Sequence, residues 1–291
     1  MRLTFLGTGT SSGVPAIACA CRVCSSHDLR DQRLRTSSLL EFTDARGQPR
    51  AILIDASPDL RQQALRAKMT RCDAVLFTHN HVDHTFGLDE LRRFNVVMHA
   101  PIDVYAERHT IEHLHRVYKH IFDRQSNIND SFVATLNPHP IEPERPFELF
   151  GVTITPIRLL HGRLPILGFR FDAPPALSPA GHDSPLPLAY CTDVSGIPPE
   201  TWKHLTNLNT LVLDALRHRK HPTHLTLQDA VNIADRVAAR QTYFVHMSHD
   251  LAHEETNASL PESVQLAHDG LTLGRYQPPP ATFPDPAAEF P

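Results

Sequence analysis

Ala74-Val75-Leu76-Phe77-Thr78-His79-Asn80-His81-Val82-Asp83-His84 places four metal-capable side chains in six residues, directly behind an apolar run. The run Ala74 to Phe77 is too short for a helix and apolar throughout, which predicts a strand buried on both faces. Alternate side chains of an extended segment point the same way, so His79 and His81 can reach one ion. A tight strand-to-helix turn then presents Asp83 and His84 to a second ion nearby. Imidazole and carboxylate are donors that borderline divalent metals accept. A solvated histidine-rich loop is the alternative, and it leaves the buried strand ahead of the motif unexplained.

Outward from this stretch the same ending recurs. Leu159-Leu160 stops at His161, Tyr190-Cys191-Thr192 at Asp193, Leu211 to Leu213 at Asp214, and Tyr243 to Val245 at His246. In a strand sandwich with helices outside, such endings converge on one rim. Further strands are predicted at Leu3 to Leu6, Ser38 to Phe42 and Ala51 to Ile54, the last two joined by a turn at Ala45-Arg46-Gly47-Gln48. Phe147 to Leu149 and Val152 to Ile157 flank Phe150-Gly151 like a hairpin, and Ile166 to Phe171 and Leu188 to Cys191 follow. Ser57-Pro58 signals a helix start, with Leu60, Ala64 and Leu65 on one face to about Lys68. Pro101 to about Phe122 reads as helical, and Thr226 with Asp229 opens another helix carrying Ala230, Ile233, Ala234 and Val237. Asp172 to Pro187 is a proline-rich surface excursion.

With 291 residues, 41% of them hydrophobic, the chain can bury one large core. We expect one domain over 1–276 and a proline-rich tail over 277–291. The net charge of −4 gives no general cationic field, so a long nucleic acid is not the expected partner. No stretch approaches the roughly 18 apolar residues that span a bilayer. No charged-then-apolar leader precedes Leu3, so the expected location is cytoplasmic, with no membrane partner. Oligomeric state is not legible, and a homodimer stays open. Five cysteines, with Cys19, Cys21 and Cys24 crowded together, do not form a disulfide framework; metal binding or redox chemistry explains them better. Cys72 and Cys191 read as ordinary buried thiols. His109, His113 and His115 lie on a polar helical stretch and read as a solvated face.

The combination resembles the metallo-β-lactamase superfamily, and within it the phosphoribosyl cyclic phosphodiesterase (PhnP-like) group. The resemblance is carried by Leu3 to Thr10 with Gly13-Val14-Pro15, Cys19, Cys21 and Cys24, Leu53-Ile54-Asp55, the histidine motif, and Gly87-Leu88-Asp89-Glu90. It continues through Arg92 with Phe94-Asn95, His161 ahead of Gly168-Phe169, Thr192-Asp193, Thr223-His224 and His246-Met247-Ser248-His249, to about Tyr276. It implies an α/β fold of the αββα sandwich type, with two mixed sheets flanked by helices. It also implies two active-site divalent ions, zinc or manganese. His79, His81 and His161 would hold the first, Asp83, His84 and His246 the second, and Asp193 would bridge both.

The implied reaction is hydrolysis of a small phosphodiester, such as a cyclic phosphate or a nucleotide-like diester, by a hydroxide shared between the ions. Asp83 would also orient the nucleophile, and His224 would protonate the leaving group. Cys-x-Cys-x2-Cys lacks a fourth ligand, which His249 can supply for a structural zinc; a Cys21/Cys24 redox pair is the lesser alternative. Arg92 is a candidate for a substrate phosphate. Asp55 and Asp214 are candidates for supporting the ligands from behind. Gly7-Thr8-Gly9 reads as a tight loop and not as a phosphate cradle. Rival readings are a ligand carrier like the pyrroloquinoline quinone biosynthesis relatives and a transfer-RNA-processing nuclease. The first is opposed by the occupancy of all seven ligand positions, the second by the lack of a long basic arm. A β-lactamase is disfavoured by the absent leader and by Asp193, where many of those enzymes carry cysteine. A glyoxalase II-like thioesterase is disfavoured because that family lacks the cysteine cluster.

Overall fold

Apolar runs that either alternate or continue unbroken build two sheets in the computed structural model, which describes residues 1–123, 125, 132–177 and 184–276. The first sheet contains β1 (Arg2–Gly7), β2 (Ser37–Thr43), β3 (Pro49–Ile54), β4 (Ala74–Leu76), β5 (Ile102–Ala106) and β6 (Leu136–Pro140). The second contains β7 (Phe147–Leu149), β8 (Val152–His161), β9 (Leu164–Asp172), β10 (Leu188–Cys191), β11 (Thr210–Asp214), β12 (Gln241–Val245) and β13 (Val264–Leu266). The last strand, β14 (Thr272–Gly274), returns to the first sheet beside β1, giving the orders β14-β1-β2-β3-β4-β5-β6 and β13-β12-β11-β10-β9-β8-β7. Both sheets are mixed. β3 to β6 and β10 to β13 run parallel to their neighbours, while β1 to β3 and β7 to β10 pair antiparallel.

The layers follow from which faces are apolar. Phe5, Leu40, Phe42 and Ile54 of the first sheet meet Ile154, Phe169, Phe171 and Tyr190 of the second in the central core. On the outer face of the first sheet, Leu39, Leu53, Val75 and Val104 pack beneath Leu60 of α1 (Leu60–Ala67). Ile111 and Leu114 cover the same face from α4 (Arg108–Val117), which follows α2 (Val82–Thr85) and α3 (Arg92–Met98) and precedes α5 (Lys119–Phe122). On the outer face of the second sheet, Leu211, Leu213 and Phe244 take Ala230 and Ala234 of α6 (Leu227–Val237), and α7 (His253–Ser259) follows β12. The result is the expected αββα sandwich. Strands buried on both faces, such as β4, β10 and β11, read as continuous apolar runs because parallel strands are covered on each side.

The structure corrects several expectations. Ile102–Ala106 lies inside the stretch read as helical, yet its alternating burial is that of a strand, and the helix begins only at Arg108. α1 begins at Leu60 and not at Pro58; Ser57 instead accepts from the Asp59 N–H and donates to Gln63 Oε1. Gln63 is buried on the inner face where Leu65 was expected, and Leu65 is exposed. The capping box of Thr226 with Asp229 forms as predicted. Residues 178–183 of the proline-rich excursion and the tail 277–291 lie outside the described residues. Among the described residues, no helix is long and apolar enough to cross a membrane.

Candidate active site

Most of the predicted active-site ligands sit at or just beyond the C-terminal end of a strand, and Asp83 and His84 lie on the short α2. β4 leads into His79 and His81, β8 ends in His161, β10 is followed by Asp193, and β12 is followed by His246. Three residues here hold left-handed backbone: Asp55 after β3 (φ 59°), Asp193 (φ 58°) and His246 (φ 60°). Such conformations are costly for residues with a Cβ and concentrate at sites whose side chains must be aimed. The histidine loop is pinned from beneath. The Ala56 N–H donates to His84 O, and the Gly87 N–H donates to Ala56 O. A Cβ on Gly87 would lie 2.0 Å from Ser57 O, so only glycine permits this approach.

The convergence takes two adjoining clusters. His79, His81 and His161 offer ligand atoms within 4.8 Å of one another, and so do Asp83, His84, Asp193 and His246. In the second, His84 Nε2 lies 3.4 Å from Asp83 Oδ2 and 3.1 Å from Asp193 Oδ2. His246 Nε2 lies 3.5 Å from Asp83 Oδ2 and 3.2 Å from Asp193 Oδ1. Donors bound about 2.0 to 2.2 Å from one ion at tetrahedral angles are separated by about 3.4 Å, so the spacing suits a divalent cation. Asp193 also forms a group with His161 and His224, which puts its carboxylate between the two clusters.

The imidazoles are turned by hydrogen bonds on their outer nitrogens. Asp55 Oδ2 accepts from Thr78 Oγ1 (2.8 Å), so the Thr78 oxygen is left to accept from His79 Nδ1 (2.9 Å). His84 Nδ1 donates to Asp55 Oδ2 at 2.7 Å, and His161 Nδ1 donates to Thr223 O at 2.8 Å. Each bond fixes a tautomer and directs Nε2 inward, which is how metal-binding histidines are oriented. Nε2 of His79, His84 and His246 is buried with no hydrogen-bond partner among the described residues. Such orphaned nitrogens beside carboxylates fit a bound cation. Asp55 thus sits behind His84 and Thr78, and Asp214 Oδ1 lies 3.6 Å from His246 Nδ1.

The electrostatics divide the clusters. Burial drives His79 well below the ordinary imidazole value and lowers His161 to about 4. Burial also opposes charge on His84 and His246, but Asp193, together with Asp83, outweighs it and raises both. Burial pushes Asp193 upward, yet the charges of His246 and His84 hold it well below the usual carboxylate range.

His224 faces the clusters across a cavity of about 640 Å³ lined also by Ser11, Asn80, His81, Asp83, His161 and Leu164. Its Nδ1 donates to Asp214 Oδ1 at 3.1 Å, and the other Asp214 oxygen accepts from the Leu225 N–H at 3.0 Å. Nε2 is thereby left for a ligand. Beyond His224 a second cavity of about 490 Å³ opens, walled by Ser195, Lys220, His221 and Asn232, with His224 in both walls.

Cys19, Cys21 and Cys24 converge on His249. Their sulfurs lie 3.2, 3.6 and 3.3 Å from His249 Nδ1. A tetrahedral zinc with bonds of about 2.3 Å to sulfur and 2.05 Å to nitrogen separates those atoms by about 3.6 Å, so the four residues suit it. Cys72 and Cys191 are buried, and burial raises the Cys191 thiol to about 12. Gly7-Thr8-Gly9 is a tight loop, as read: a Cβ on Gly7 would meet Arg35 O at 2.0 Å.

Two sequence readings fail here. Arg92 does not line the cavity; burial of Phe94 and Asn95 turns it outward, where its guanidinium lies 3.4 Å from Asp89. His113, read as part of a solvated face, lines the cavity instead.

Residues 50–247 match the family described as the beta-lactamase superfamily domain. A solved structure described as a new diphosphatase from the PhnP family superposes with a TM-score of 0.80 and 42% identity, over 94% of this chain and 97% of that one. The chain belongs to the metallo-β-lactamase superfamily, in its PhnP family. An octanoyltransferase of Porphyromonas gingivalis is 36% identical over 282 residues, which are 93% of this chain and 51% of that protein. The chain thus spans about half the length of this relative. Zinc-bound PqqB from Methylobacterium extorquens shares the metallo-β-lactamase fold at a TM-score of 0.72 and 20% identity, over 94% of this chain and 100% of that one.

Proposed function

We propose that this metallo-β-lactamase-fold hydrolase cleaves a phosphodiester or the related phosphoanhydride bond of a diphosphate. The observation that carries the reading is the pair of ligand clusters flanking Asp193 with His224 opposite, hydrogen-bonded to Asp214. His79, His81 and His161 would hold one divalent ion, Asp83, His84 and His246 the other, and Asp193 would serve both. When bound, zinc or manganese ions supply activation of water and neutralisation of charge on phosphoryl oxygens.

The chain's own groups do the rest. Asp83 turns Oδ2 to His84 and His246, leaving Oδ1 to accept a hydrogen bond from the attacking water and so orient it. His224, as imidazolium, holds an Nε2 proton for the leaving oxygen, and Asp214 stabilises that charge through Nδ1. Displacement at phosphorus puts nucleophile and leaving group on opposite sides, and the leaving group then extends past His224 toward the adjoining cavity. The four-ligand set of Cys19, Cys21, Cys24 and His249 would take a structural zinc. That zinc would tie the N-terminal loop to the strand end carrying His246. The diphosphatase described for the solved relative supports a phosphorus-centred reaction.

The test is turnover of bis(p-nitrophenyl) phosphate with added manganese or zinc, followed by a screen of cyclic phosphates, linear diesters and diphosphates. The P. gingivalis relative argues for including an octanoyl ester in that screen. Turnover of a phosphorus ester that fails without metal supports the reading. Hydrolysis confined to carboxylic esters, or ligand binding with no turnover, refutes it.

A further inference from the structure

The loop between β11 and α6 gathers three cations beside the site, in Arg217-His218-Arg219-Lys220-His221. It is closed at its neck, where the Leu216 N–H donates to Leu225 O and the Leu227 N–H donates to Arg217 O. Two of the cations are engaged. Arg217 donates from Nε and Nη2 to Arg219 O and Lys220 O (3.2 and 3.0 Å), bracing the turn, and Arg219 lies 3.6 Å from Asp250. Lys220 is exposed, lines the second cavity and has no ion-pair partner among the described residues. His221 stands next to it in the same wall, its ring 5.1 Å from that of His224, which both cavities share. The Thr223 N–H donates to His221 Nδ1 at 3.4 Å, so that nitrogen accepts and the ring carries its proton on Nε2. Nε2 has no partner among the described residues and is not one of the buried nitrogens that lack one, so it stays accessible. In the same lining Asn232 Oδ1 accepts from Gln228 Nε2 at 3.0 Å, which leaves the Asn232 N–H groups as donors. The one carboxylate among the lining residues, Asp229, accepts at Oδ2 from the Thr226 N–H and hydroxyl.

An ammonium and two neutral donors thus stand where the leaving group emerges past His224. Resting on the phosphorus-centred reading above, we infer that the second cavity is a subsite for an anionic leaving group, in which Lys220 and His221 hold a phosphate that the leaving group itself carries. The ionised oxygens of a phosphate accept hydrogen bonds, and an ammonium beside a fixed N–H donor suits two of them. The substrate class is then a phosphodiester or diphosphate whose departing half is a phosphorylated compound, such as a sugar phosphate or a nucleotide, and not a simple alcohol. A cavity of about 490 Å³ has room for such a group.

The experiment is calorimetric titration of manganese-loaded protein, of measured metal content and with manganese in excess. Propylphosphonate, with one anionic end for the metal side, is compared with propane-1,3- and butane-1,4-bisphosphonate, which carry a second end for the subsite. Turnover of bis(p-nitrophenyl) phosphate is measured in parallel. In wild type the better bisphosphonate is expected to bind on the order of tenfold more tightly than propylphosphonate, the range of a hydrogen bond to a charged group. That advantage should shrink as salt is raised. Lys220→Ala should abolish it, Lys220→Arg should keep most of it, and His221→Ala should lose part of it. Each protein is scored by the ratio of its own affinities for the two kinds of ligand, so a general loss of metal or of folded protein does not imitate the result. A wild-type advantage no greater than the roughly twofold statistical gain of two equivalent ends overturns the inference, and so does an advantage that survives in Lys220→Ala. Either outcome leaves the phosphorus-centred reading standing. Wild-type protein that binds none of the phosphonates and leaves the diester uncleaved removes the reading itself and this inference with it.

Discussion

Stripping the metals and titrating manganese back at several pH values distinguishes the two clusters. In the metal-free chain His84 and His246 are held above the ordinary imidazole value; burial disfavours their charge, but the carboxylates of Asp193 and Asp83 outweigh it. Both rings therefore hold a proton to higher pH than a free imidazole does, and each must surrender it from Nε2 before that nitrogen can bind a cation. Below the raised values of both rings, two displaced protons steepen the affinity by up to about 100-fold per pH unit, about 2.7 kcal/mol at about 1.36 kcal/mol per tenfold. The sign is fixed: affinity at this cluster falls as pH falls. The other cluster behaves differently, since burial keeps His79 well below the usual value and His161 at about 4, so neither releases a proton in this range. Manganese suits nitrogen and oxygen donors over thiolates, which keeps the cysteine group out of the measurement. Calorimetry at pH 6, 7 and 8, in pairs of buffers with different ionisation heats, counts the protons released at each binding event. One event releasing more protons, with the steeper pH dependence, and another releasing few agrees with the structure. Two events with the same pH slope, or none with a steep one, would refute the reasoning.

Substitution of the supporting groups gives further tests. His224→Ala should retain both active-site metals and lose about 100- to 10,000-fold in kcat on alkyl diesters, with a smaller loss on aryl esters whose leaving groups need no proton; equal losses measured on both remove the acid role. Asp55→Asn weakens the acceptor for His84 Nδ1 and Thr78, and should reduce metal affinity about 10- to 100-fold in competition with a chelator. Cys21→Ser should release one zinc per chain by elemental analysis and lower the melting temperature; unchanged zinc content contradicts the Cys3His assignment.

How much of this was legible in the sequence depended on whether a residue's surroundings are local. β4, β10 and β11 were readable because a strand covered on both faces leaves an unbroken apolar run, and the ligands were readable because each run stops at one. β6, Leu-Asn-Pro-His-Pro, was not. It is an edge strand that tolerates two prolines because only one side must pair, and its composition looks like a loop. β13 and β14 are three-residue edge strands with equally little signal. β5 does alternate, and its period was lost by reading it together with the helix behind it.

The site shows the same division. His79 to His84 are contiguous, so their spacing carried the chemistry. Arg92 and His113 both lie on helices where nothing local tells which face meets the cavity. Burial of Phe94 and Asn95 turned the first outward, and the packing of Ile111 and Leu114 carried the second into the wall.

The most direct measurement is anomalous diffraction from crystals grown with manganese and recorded at its absorption edge. Two peaks about 3.5 to 4 Å apart, one among His79, His81 and His161 and the other among Asp83, His84 and His246, with Asp193 touching both, are the expected result. One peak alone, or two with Asp193 bound to neither, contradicts the shared-carboxylate site on which the proposed hydrolysis depends.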